Sequence, residues 1–439
     1  MEVLVVGNGG REAALVWKIS QSPLVEKVYC APGSEGIARI PKAACVPIEV
    51  DARFGSHMRL ADFARKEKID LTVVGPEAPL VSGIVNLFET RKLKIVGPRS
   101  RAAQLEGSKV FARCFMEWCS IPAPNYRCFS DDNAEGARQH AIANLPCVIK
   151  PDGLTGGKGV MVCHTEEAVE SAIGRILVKR EFGEAGNQIV IEEFLEGEEA
   201  TFMVLTDGKE AMPLLATQDH KALNDNDEGP NIGGMGAYAP APIITPKLQK
   251  EIMDTIVYPT LHGMKELLQL YKGVLYVGLI ITESGPKVLE FNCRFGDPEL
   301  QPIVMLMESD IVPFLMGVAE GRLPKEKILF SRESAVCVVM TSEGYGSSIG
   351  PKVGDKIEGI EKLHGLEKTI SFHAGTKLDR NGAWKTAGGR VLGITAKGKN
   401  IDIAIGMAYN GVSLATWKGE HHRTDIGKKA LLHSGLKGF

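Results

Sequence analysis

Long apolar runs, paired cysteines and an excess of basic residues are all missing from this sequence. No run approaches the ~18 apolar residues that a membrane span needs. The nine cysteines are odd in number and show no CxxC spacing, which argues against a disulfide framework or a zinc site. Lys and Arg number 51 against 54 Asp and Glu, so a dedicated nucleic-acid surface is not expected. We expect no nucleic-acid or membrane partner, only small anionic substrates.

The N-terminal residues MEVLVVGNGG have no basic segment followed by a signal-type apolar core. Together with the unpaired cysteines, this predicts a reduced, cytoplasmic protein, which we expect to be a monomer. With 439 residues, 44% hydrophobic and 24% charged, the chain has the composition of an ordinary globular protein of several domains.

Short β-rich runs alternate with helical stretches in the first hundred residues. The runs lie at 2–6, 26–30, 70–74 and 94–96. This alternation predicts a βαβ domain with a parallel sheet, which we place at 1–103. The remainder reads as α+β, with a second domain at 104–330 that includes a lid subdomain at about 122–194, and a smaller α+β domain at 331–439.

The first strand ends in a glycine turn, GNGGRE, that suggests a dinucleotide site but departs from its fingerprint. Glu12 stands where the sixth position requires glycine, and no acidic residue ends the second strand. A turn that enters a helix at Gly9, Gly10 and Arg11 is still an anion site, because free N–H groups and the helix dipole converge there. We therefore predict a substrate phosphate at this turn.

The segment VGPEAPL, residues 74–80, follows the third of these strands. Open α/β sheets bind ligands at the carboxyl ends of their strands. Glu77 is therefore a candidate substrate residue, and the alternative is a plain Pro-rich loop.

A second glycine-rich stretch, KPDGLTGGKGV at 150–160, is not a Walker A loop. Only three residues separate Gly153 from Gly157-Lys158, and Gly159 follows in place of Ser or Thr. Both flanks are β-branched and apolar, which predicts a hairpin between two strands. Such a hairpin can lay its backbone over a polyphosphate, because glycine has no Cβ to hold the backbone away. The alternative is an ordinary glycine turn.

Two acidic segments follow the hairpin. In EFN, residues 290–292, the side chains of Glu290 and Asn292 lie two apart on a strand and so face the same side. Their oxygens suit Mg²⁺ bound together with substrate phosphates. The segment EEFLEGEE at 192–199 is either functional or a solvated acidic loop.

These elements occur in the order found in ATP-grasp ligases, and the detailed motifs resemble one family. GNGGRE, VGPEAPLVSGI, QLEGSK, GGKGV, VIEEFLEGEEATF, QDHK, GPNIGGMGAYAPAP, VLEFNCRFGDPE, HAGT, GGRVL and DIG are similar to those of the phosphoribosylamine-glycine ligase family. The resemblance runs from residue 2 to about 427. It implies an ATP-grasp fold and the ATP-dependent ligation of glycine to 5-phosphoribosylamine through a glycyl phosphate, in the second step of purine biosynthesis.

The resemblance also implies roles for individual residues. Lys150 and Arg294 would act in phosphoryl transfer, and Glu290 and Asn292 would hold Mg²⁺ or Mn²⁺. The ATP contacts would be Lys109, Lys150, Gly156, Gly157, Lys158, Gly159, Glu192, Glu193, Phe194, Leu195 and Glu199, with Glu193 and Leu195 reading adenine and Glu199 the ribose. The substrate contacts would be Gly9, Gly10, Arg11, Glu77, Asp219, Gly296 and Asp297.

The sequence departs from the family pattern at a few positions. Ala13 replaces a usual His, Ile232 replaces a usual Thr, and Pro151 and Thr155 differ beside the lid. Val277 lies where some related ligases carry a third acidic metal ligand. No assigned charge is lost, so the reaction class is expected to hold. The alternatives are an ATP-grasp enzyme with other substrates and a nucleotide-binding regulator without turnover.

Overall fold

The computed structural model describes residues 1–156 and 159–433, beginning with a parallel sheet. Its elements are β1 (Glu2–Gly7), α1 (Gly10–Ser20), β2 (Lys27–Pro32), β3 (Ala43–Cys45), α2 (Phe54–Lys66), β4 (Leu71–Val74), α3 (Glu77–Val81), α4 (Ile84–Thr90), β5 (Ile95–Val96) and α5 (Gln104–Gly107). The strand order is β3-β2-β1-β4-β5, and every neighbouring pair is parallel. The predicted βαβ domain is confirmed, with β3 as an added edge strand.

This sheet brings two predicted segments to one edge. β1 and β4 are neighbours, and their side chains are almost entirely buried. The glycine turn follows β1 and α3 follows β4, so both lie at the carboxyl ends of adjacent strands. This is the edge at which open α/β sheets bind ligands.

An antiparallel sheet forms the next part of the chain. Its elements are α6 (Lys109–Trp118), β6 (Tyr126–Ser130), α7 (Ala134–Ala143), β7 (Cys147–Pro151), β8 (Met161–Cys163), α8 (Glu166–Ile173) and β9 (Gln188–Glu193). The strand order is β6-β9-β7-β8. Because β7 and β8 pair antiparallel, the predicted glycine hairpin is confirmed. Gly157 and Lys158 lie outside the described residues.

A second antiparallel sheet follows. The elements are β10 (Glu198–Thr206), β11 (Ala211–Pro213), β12 (Gln218–Asp219), β13 (Ala222–Asn224), β14 (Glu228–Asn231), β15 (Gly236–Ala239), α9 (Pro246–Ile252), α10 (Tyr258–Glu266), β16 (Gly273–Thr282), β17 (Gly285–Asn292), α11 (Leu300–Leu306) and α12 (Val312–Glu320). The sheet order is β11-β10-β16-β17. A π-helical turn at Met253–Val257 joins α9 and α10 into one longer helix, which ends at Glu266.

The last part completes a sheet begun earlier in the chain. Its elements are β18 (Ser334–Thr341), α13 (Ile360–Leu363), β19 (Thr369–His373), β20 (Thr376–Leu378), β21 (Trp384–Thr386), β22 (Arg390–Gly398), α14 (Ile401–Val412) and α15 (Lys428–His433). The order β12-β15-β18-β22-β19 joins two strands from within the preceding part to this sheet. The QDHK and GGMGAY segments thus lie where the two parts meet.

Four clusters of buried apolar side chains stabilise these layers. The first two extend from β1 and β4 into β10, β16 and β17, so the parallel sheet and the second antiparallel sheet share their cores. Burial of apolar surface on this scale is the main driving force for folding. In residues 1–156 and 159–433, no helix combines the length and the hydrophobicity needed to cross a bilayer.

Candidate active site

One cavity of about 480 Å³ lies where the four parts of the fold meet. Most of the residues predicted to be functional line it: Arg11, Glu77, Lys109, Lys150, Gly156, Glu192, Glu193, Phe194, Leu195, Glu199, Asp219, Glu290, Asn292, Arg294 and Asp297. Four other predicted residues lie within two positions in the sequence of residues that line the cavity: Gly9, Gly10, Gly159 and Gly296. Segments more than two hundred residues apart in the chain are thus brought to a single chamber.

Lys150 belongs to a buried ionic cluster at the floor of the cavity. Its Nζ donates to Glu192 Oε2 at 2.9 Å and to the carbonyl of Leu289 at 3.2 Å. Arg113 Nε donates to the other carboxylate oxygen of Glu192 at 2.7 Å. An ammonium has three N–H donors, so two hold Lys150 in place and the third remains for a ligand. The cluster presents an oriented cation.

Burial and charge act in opposite directions on this cluster. Burial raises the pKa of Glu192, but Lys150 and Arg113 outweigh it and hold that pKa below its usual range. Burial lowers the pKa of Lys150, while Glu192 counteracts the shift. Without Glu192, a lysine that is only 6% exposed would lose the main group that favours its charged form.

Lys109 opens α6 beside the glycine hairpin. Its Nζ donates to the carbonyl of Gly153 at 3.1 Å, and its backbone N–H donates to the carbonyl of Asp152 at 2.9 Å. The Asp152 carboxylate in turn accepts from Val110 N and Ser108 Oγ, both at 2.8 Å. The start of α6 and the hairpin are therefore tied together, and a cation is held at the hairpin base. Burial lowers the pKa of Lys109.

The hairpin itself requires glycine at two described positions. Gly156 has a φ of +62°, in the left-handed region that favours glycine. A Cβ on Gly159 would lie 2.6 Å from Pro151 Cγ and 2.7 Å from Thr155 Oγ1, closer than side-chain carbons approach. The two residues that depart from the family pattern beside the lid therefore pack directly against Gly159.

The segment between β9 and β10 forms one wall of the cavity. Glu193 points to the surface, where its carboxylate accepts from the backbone and side chain of Asn125 and from Lys287 Nζ at 3.2 Å. The ring of Phe194 makes an edge contact with His164 at 5.4 Å between centroids. Leu195 and Phe194 supply an apolar surface with backbone groups beside it, which suits a planar heterocycle.

Glu290 and Asn292 lie near the end of β17, on the same strand face as predicted. Burial raises the pKa of Glu290, but Lys221, Lys150, Lys109 and Arg294 outweigh it and lower that pKa to about 2. The carboxylate is therefore ionised across the physiological range and ready to bind a cation. A carboxylate and an amide oxygen are hard ligands of the kind that Mg²⁺ and Mn²⁺ accept.

A third acidic ligand does not come from the neighbouring strand. Val277 is fully buried and belongs to the apolar core. Within the part of the chain that the structure describes, no group of three or more His, Cys, Asp or Glu side chains is arranged to hold a metal. The remaining ligands of a metal at Glu290 and Asn292 would be phosphate oxygens, as is usual for Mg²⁺.

Lys221 bridges two acidic residues that the sequence analysis placed in different subsites. Its Nζ lies 2.9 Å from Glu199 Oε2 and 3.6 Å from Glu290 Oε1. Burial lowers the pKa of Lys221, but the two carboxylates more than offset this and raise it well above its usual range. This lysine was missed by the sequence reasoning, which considered only Asp219 in the QDHK motif.

Arg294 is held by carboxylates from two elements near the parallel sheet. Its Nε lies 3.3 Å from Glu77 Oε2, and its Nη2 lies 3.0 Å from Glu106 Oε1. Nη2 also lies 3.3 Å from Asn292 Oδ1. Glu106 accepts from the backbone N–H of Cys293 at 2.7 Å, so it fixes both the arginine and the residue before it. Glu77 thus contacts Arg294 in this structure.

Glu12 explains why the first glycine turn is not a dinucleotide site. A Cβ on Gly75 would lie 2.0 Å from Glu12 Oε1, and one on Gly7 would lie 2.7 Å from Glu12 Cγ and Cδ. The carboxylate also accepts from Gly9 N and from Arg11 Nε, both at 2.6 Å. Glu12 is therefore a buried structural acid that orders the turn from within.

The N-terminus of α1 faces Asp297. The Asp297 carboxylate accepts from the backbone N–H of Arg11 at 3.4 Å and from Arg390 Nη2 at 3.1 Å. The Arg11 guanidinium turns inward, where it pairs with Glu12 and donates to the carbonyl of Phe295 at 3.2 Å. Burial raises the pKa of Asp297, but Arg390 and Arg11 outweigh it and lower that pKa.

Asp219 and Glu299 differ from the other acidic residues that line the cavity. Each of the other seven, Glu77, Glu106, Glu192, Glu193, Glu199, Glu290 and Asp297, forms an ion pair. In the described chain, neither Asp219 nor Glu299 has a basic nitrogen within 4.0 Å. Burial raises the pKa of Asp219 well above its usual range, and Glu299 raises it further. Tyr276 Oη donates to Glu299 at 2.7 Å.

Several of the missed residues carry a signal in the sequence. Arg113 lies four residues after Lys109, one helical turn along the same face of α6. Lys221 and Glu299 each lie two residues after a predicted acidic residue. Arg390 and Glu106 sit within motifs that were recognised without being given roles.

The two other departures from the family pattern are both buried. Ala13 belongs to the core on α1, and Ile232 lines the cavity while its N–H donates to the carbonyl of Lys221 at 2.9 Å. A backbone contact of this kind does not depend on the side chain. Neither change removes a charge from the site.

Comparison with known proteins gives one family along the chain. Three profiles of phosphoribosylglycinamide synthetase match: the N domain at residues 1–106, the ATP-grasp (A) domain at 107–300 and the C domain at 335–429. Phosphoribosylamine–glycine ligase of Escherichia coli strain K12 is 46% identical over 437 residues, covering 98% of this chain and 99% of the relative.

Two solved structures are similar as well. Phosphoribosylamine–glycine ligase of Thermotoga maritima superposes with a TM-score of 0.80 at 29% identity, covering 97% of this chain and 100% of that one. A biotin carboxylase domain of Hydrogenobacter thermophilus 2-oxoglutarate carboxylase, solved with ADP and magnesium, has a TM-score of 0.71 at 17% identity, covering 100% of this chain and 94% of that one. The second likeness concerns the fold alone. With matches along nearly its whole length, this chain belongs to the phosphoribosylamine–glycine ligase family of ATP-grasp enzymes.

Proposed function

We propose that the chain joins glycine to 5-phosphoribosylamine, using ATP and a divalent metal, and releases glycinamide ribonucleotide, ADP and phosphate. One observation carries the proposal beyond family membership. A single cavity holds oriented cations, a pair of metal-ligand oxygens and two unpaired carboxylates, whereas no serine, cysteine or histidine of the described residues lines it. Such a site suits phosphoryl transfer to a substrate carboxylate, and its described lining has no Ser–His or Cys–His pair of the kind used in acyl-enzyme chemistry.

The nucleotide lies between the hairpin and the two antiparallel sheets in this proposal. Adenine packs beside Phe194 and Leu195, and its edge is read by backbone groups of Glu193 and Leu195. The ribose hydroxyls donate to Glu199. The phosphates meet Lys150 and Lys109, with Gly156 to Gly159 closing over them. The support is the apolar wall on one side and the two anchored ammonium groups on the other.

Glu290 and Asn292 would hold the metal, either Mg²⁺ or Mn²⁺. When bound, the metal would neutralise charge on the phosphate oxygens. The chain contributes an ionised carboxylate, and Asn292 Oδ1 is fixed by Arg294 at 3.3 Å. The fit rests on this oxygen donor set and on the shared strand face.

Glycine must be activated before an amine can attack it, because an oxide ion is a very poor leaving group. An oxygen of the glycine carboxylate forms a bond to the γ-phosphorus as the bond from that phosphorus to the ADP oxygen breaks. Arg294 stabilises the charge on the transferred group, and Glu77 and Glu106 hold its guanidinium in place. The phosphoribosylamine nitrogen then attacks the glycyl carbonyl, loses a proton, and phosphate leaves.

The glycine ammonium lies against Asp219, with Glu299 as a second carboxylate. These are the two acidic residues of the cavity that form no ion pair in the described chain, so a substrate cation would supply the missing counter-charge. Pairing also keeps the glycine nitrogen protonated, which prevents it from competing with phosphoribosylamine as the nucleophile.

Phosphoribosylamine lies at the N-terminus of α1, beside Asp297 and Gly296. Its phosphate would meet the N–H of Gly10 and the helix dipole, since the N–H of Gly9 already donates to Glu12. A ribose hydroxyl of the same substrate would donate to the Asp297 carboxylate beside this turn. A simple Arg11→Ala test of this site is confounded, because it would leave the buried Glu12 unpaired.

Three stretches of the chain divide the binding of the substrates between them. Residues 1–103 bind the amine substrate, 104–330 bind ATP beneath the lid at about 122–194, and 331–439 complete the amine site. A monomeric enzyme is part of the proposal. We propose a cytoplasmic location, which agrees with the use of ATP.

The test is a set of omission assays with purified protein. ATP, Mg²⁺, glycine and phosphoribosylamine together should release phosphate in equal amount to glycinamide ribonucleotide. Omission of any one should abolish the product. Phosphate release when bicarbonate replaces glycine would indicate a carboxylase. ADP binding without turnover on any substrate would indicate a regulator.

A further inference from the structure

Lys221 occupies an unusual position between two subsites. Its ammonium spans Glu199 on β10 and Glu290 on β17, at 2.9 and 3.6 Å. Both strands border β16 and present these residues toward the cavity. The backbone of Lys221 is held by Ile232, whose N–H donates to its carbonyl, so the side chain alone is available to change partners.

The two carboxylates are the ones that the proposed function gives to parts of the nucleotide, and the inference rests on that proposal. Glu199 takes the ribose hydroxyls, and Glu290 takes the metal at the terminal phosphates. In any nucleoside polyphosphate, the α-phosphate joins the ribose to those terminal phosphates. A cation that spans Glu199 and Glu290 therefore lies in the path of the α-phosphate.

The other cations of the cavity are anchored differently. Lys150 is held by Glu192 and a carbonyl, Lys109 by a carbonyl, and Arg294 mainly by Glu77 and Glu106. The proposed function gives none of these anchors to the nucleotide or the metal, since Glu77 and Glu106 hold Arg294 and Glu192 holds Lys150. Lys221 is distinct, because binding of the nucleotide claims both of its partners.

We propose that Lys221 is an exchangeable counter-ion: it pairs with Glu199 and Glu290 in the nucleotide-free chain and transfers to the α-phosphate when a nucleotide binds. This exchange gives selectivity for nucleotides over nucleosides. A nucleoside has to compete with Lys221 for Glu199 and offers no anion in return, whereas a nucleotide supplies the replacement charge.

The test compares the binding of adenosine and of ADP by titration calorimetry with Mg²⁺ present, because the metal is what claims Glu290. Lys221→Gln should weaken ADP binding roughly ten- to a hundredfold, the value of one charge-assisted contact, and leave adenosine binding unchanged or tighter. Lys221→Arg keeps the charge and should preserve most of the preference for ADP. Lys287→Gln is the matched control, because Lys287 pairs with Glu193 at 3.2 Å at the adenine end and should shift both ligands alike.

The result that overturns the inference is Lys221→Gln weakening both ligands equally or leaving ADP unchanged. Failure of the proposed function is distinct, because it appears in the wild-type protein itself, as an absence of glycinamide ribonucleotide in the omission assays. If Lys221→Gln does not fold, it is combined with Glu199→Gln, which removes one of the two carboxylates that the lysine substitution leaves unpaired. There the double variant should still bind ADP at least roughly tenfold more weakly than Glu199→Gln alone, and equal affinities would refute the exchange.

Discussion

Replacement of Glu192 by Gln tests whether the buried ionic cluster orients the phosphate-binding lysine. Glu192, Arg113 and Lys150 are 2%, 3% and 6% exposed, and the Glu192 carboxylate contacts both cations at 2.7 and 2.9 Å. Glutamine keeps the size of the side chain but leaves two cations without a buried counter-charge. Removal of one partner of a buried ion pair lowers the free energy of unfolding by about 3 to 5 kcal/mol.

The loss of Glu192 should also affect ATP. Burial already lowers the pKa of Lys150, and Glu192 is the largest opposing influence. In the variant, Lys150 either remains charged and poorly oriented or releases its proton. Both outcomes remove a charge-assisted contact to phosphate, so the KM for ATP should rise roughly tenfold or more.

Glu193→Gln is the matched control, because it changes the next residue of the same strand. Its side chain is 33% exposed and pairs with Lys287 at 3.2 Å. Exposed pairs contribute about 1 kcal/mol or less. Urea denaturation and steady-state kinetics of both variants give the comparison. Equal denaturation midpoints for the two variants, or an unchanged KM for ATP in Glu192→Gln, would refute the role of the cluster.

Three further changes test other parts of the site. Glu290→Ala should abolish ligation in a folded protein and remove Mn²⁺ binding in the presence of ADP; near-normal turnover at saturating Mg²⁺ would contradict the metal assignment. Gly159→Ala, whose Cβ would lie 2.6 Å from Pro151, should depress turnover without changing adenosine binding, and an unaltered rate would count against the lid. His220 is fully buried with a pKa lowered to about 4 from 6.5, so the unfolded chain takes up its proton first as the pH falls. Acidification from pH 7 to 5 should therefore lower the free energy of unfolding by about 2 kcal/mol through this residue. His220→Asn should reduce that loss in urea denaturation, and an identical pH dependence would argue against the buried neutral histidine.

Local patterns were sufficient to predict much of the architecture. The strands at 2–6 and 70–74 and the hairpin around residues 150–160 follow from alternation and glycine placement alone, and all are confirmed. β3 was missed because it has three half-buried residues and no distinct periodicity. The sheet that joins β12 and β15 to β18 was also missed, since pairing across about a hundred residues leaves no local signal.

The site was less accessible from sequence than the fold. The order of the motifs predicted that Lys150, Glu290 and Arg294 share one site. The spacing of the motifs does not predict which acidic residue each basic residue contacts. The pairing of Arg294 with Glu106 depends on α5 packing beside the end of β17. The inward turn of Arg11 toward Glu12 depends on burial that only the folded sheet provides. Pair identities of this kind are properties of the tertiary structure.

The central claim is that the glycine carboxylate accepts the γ-phosphoryl group before the amide bond forms. Glycine labelled with ¹⁸O in both carboxylate oxygens tests it directly when the enzyme turns over with ATP and phosphoribosylamine. Because the oxygen that bonds to phosphorus leaves with it, one labelled oxygen should appear in each phosphate released, as read by mass spectrometry. Unlabelled phosphate together with normal product formation would contradict the glycyl phosphate and the mechanism built on it.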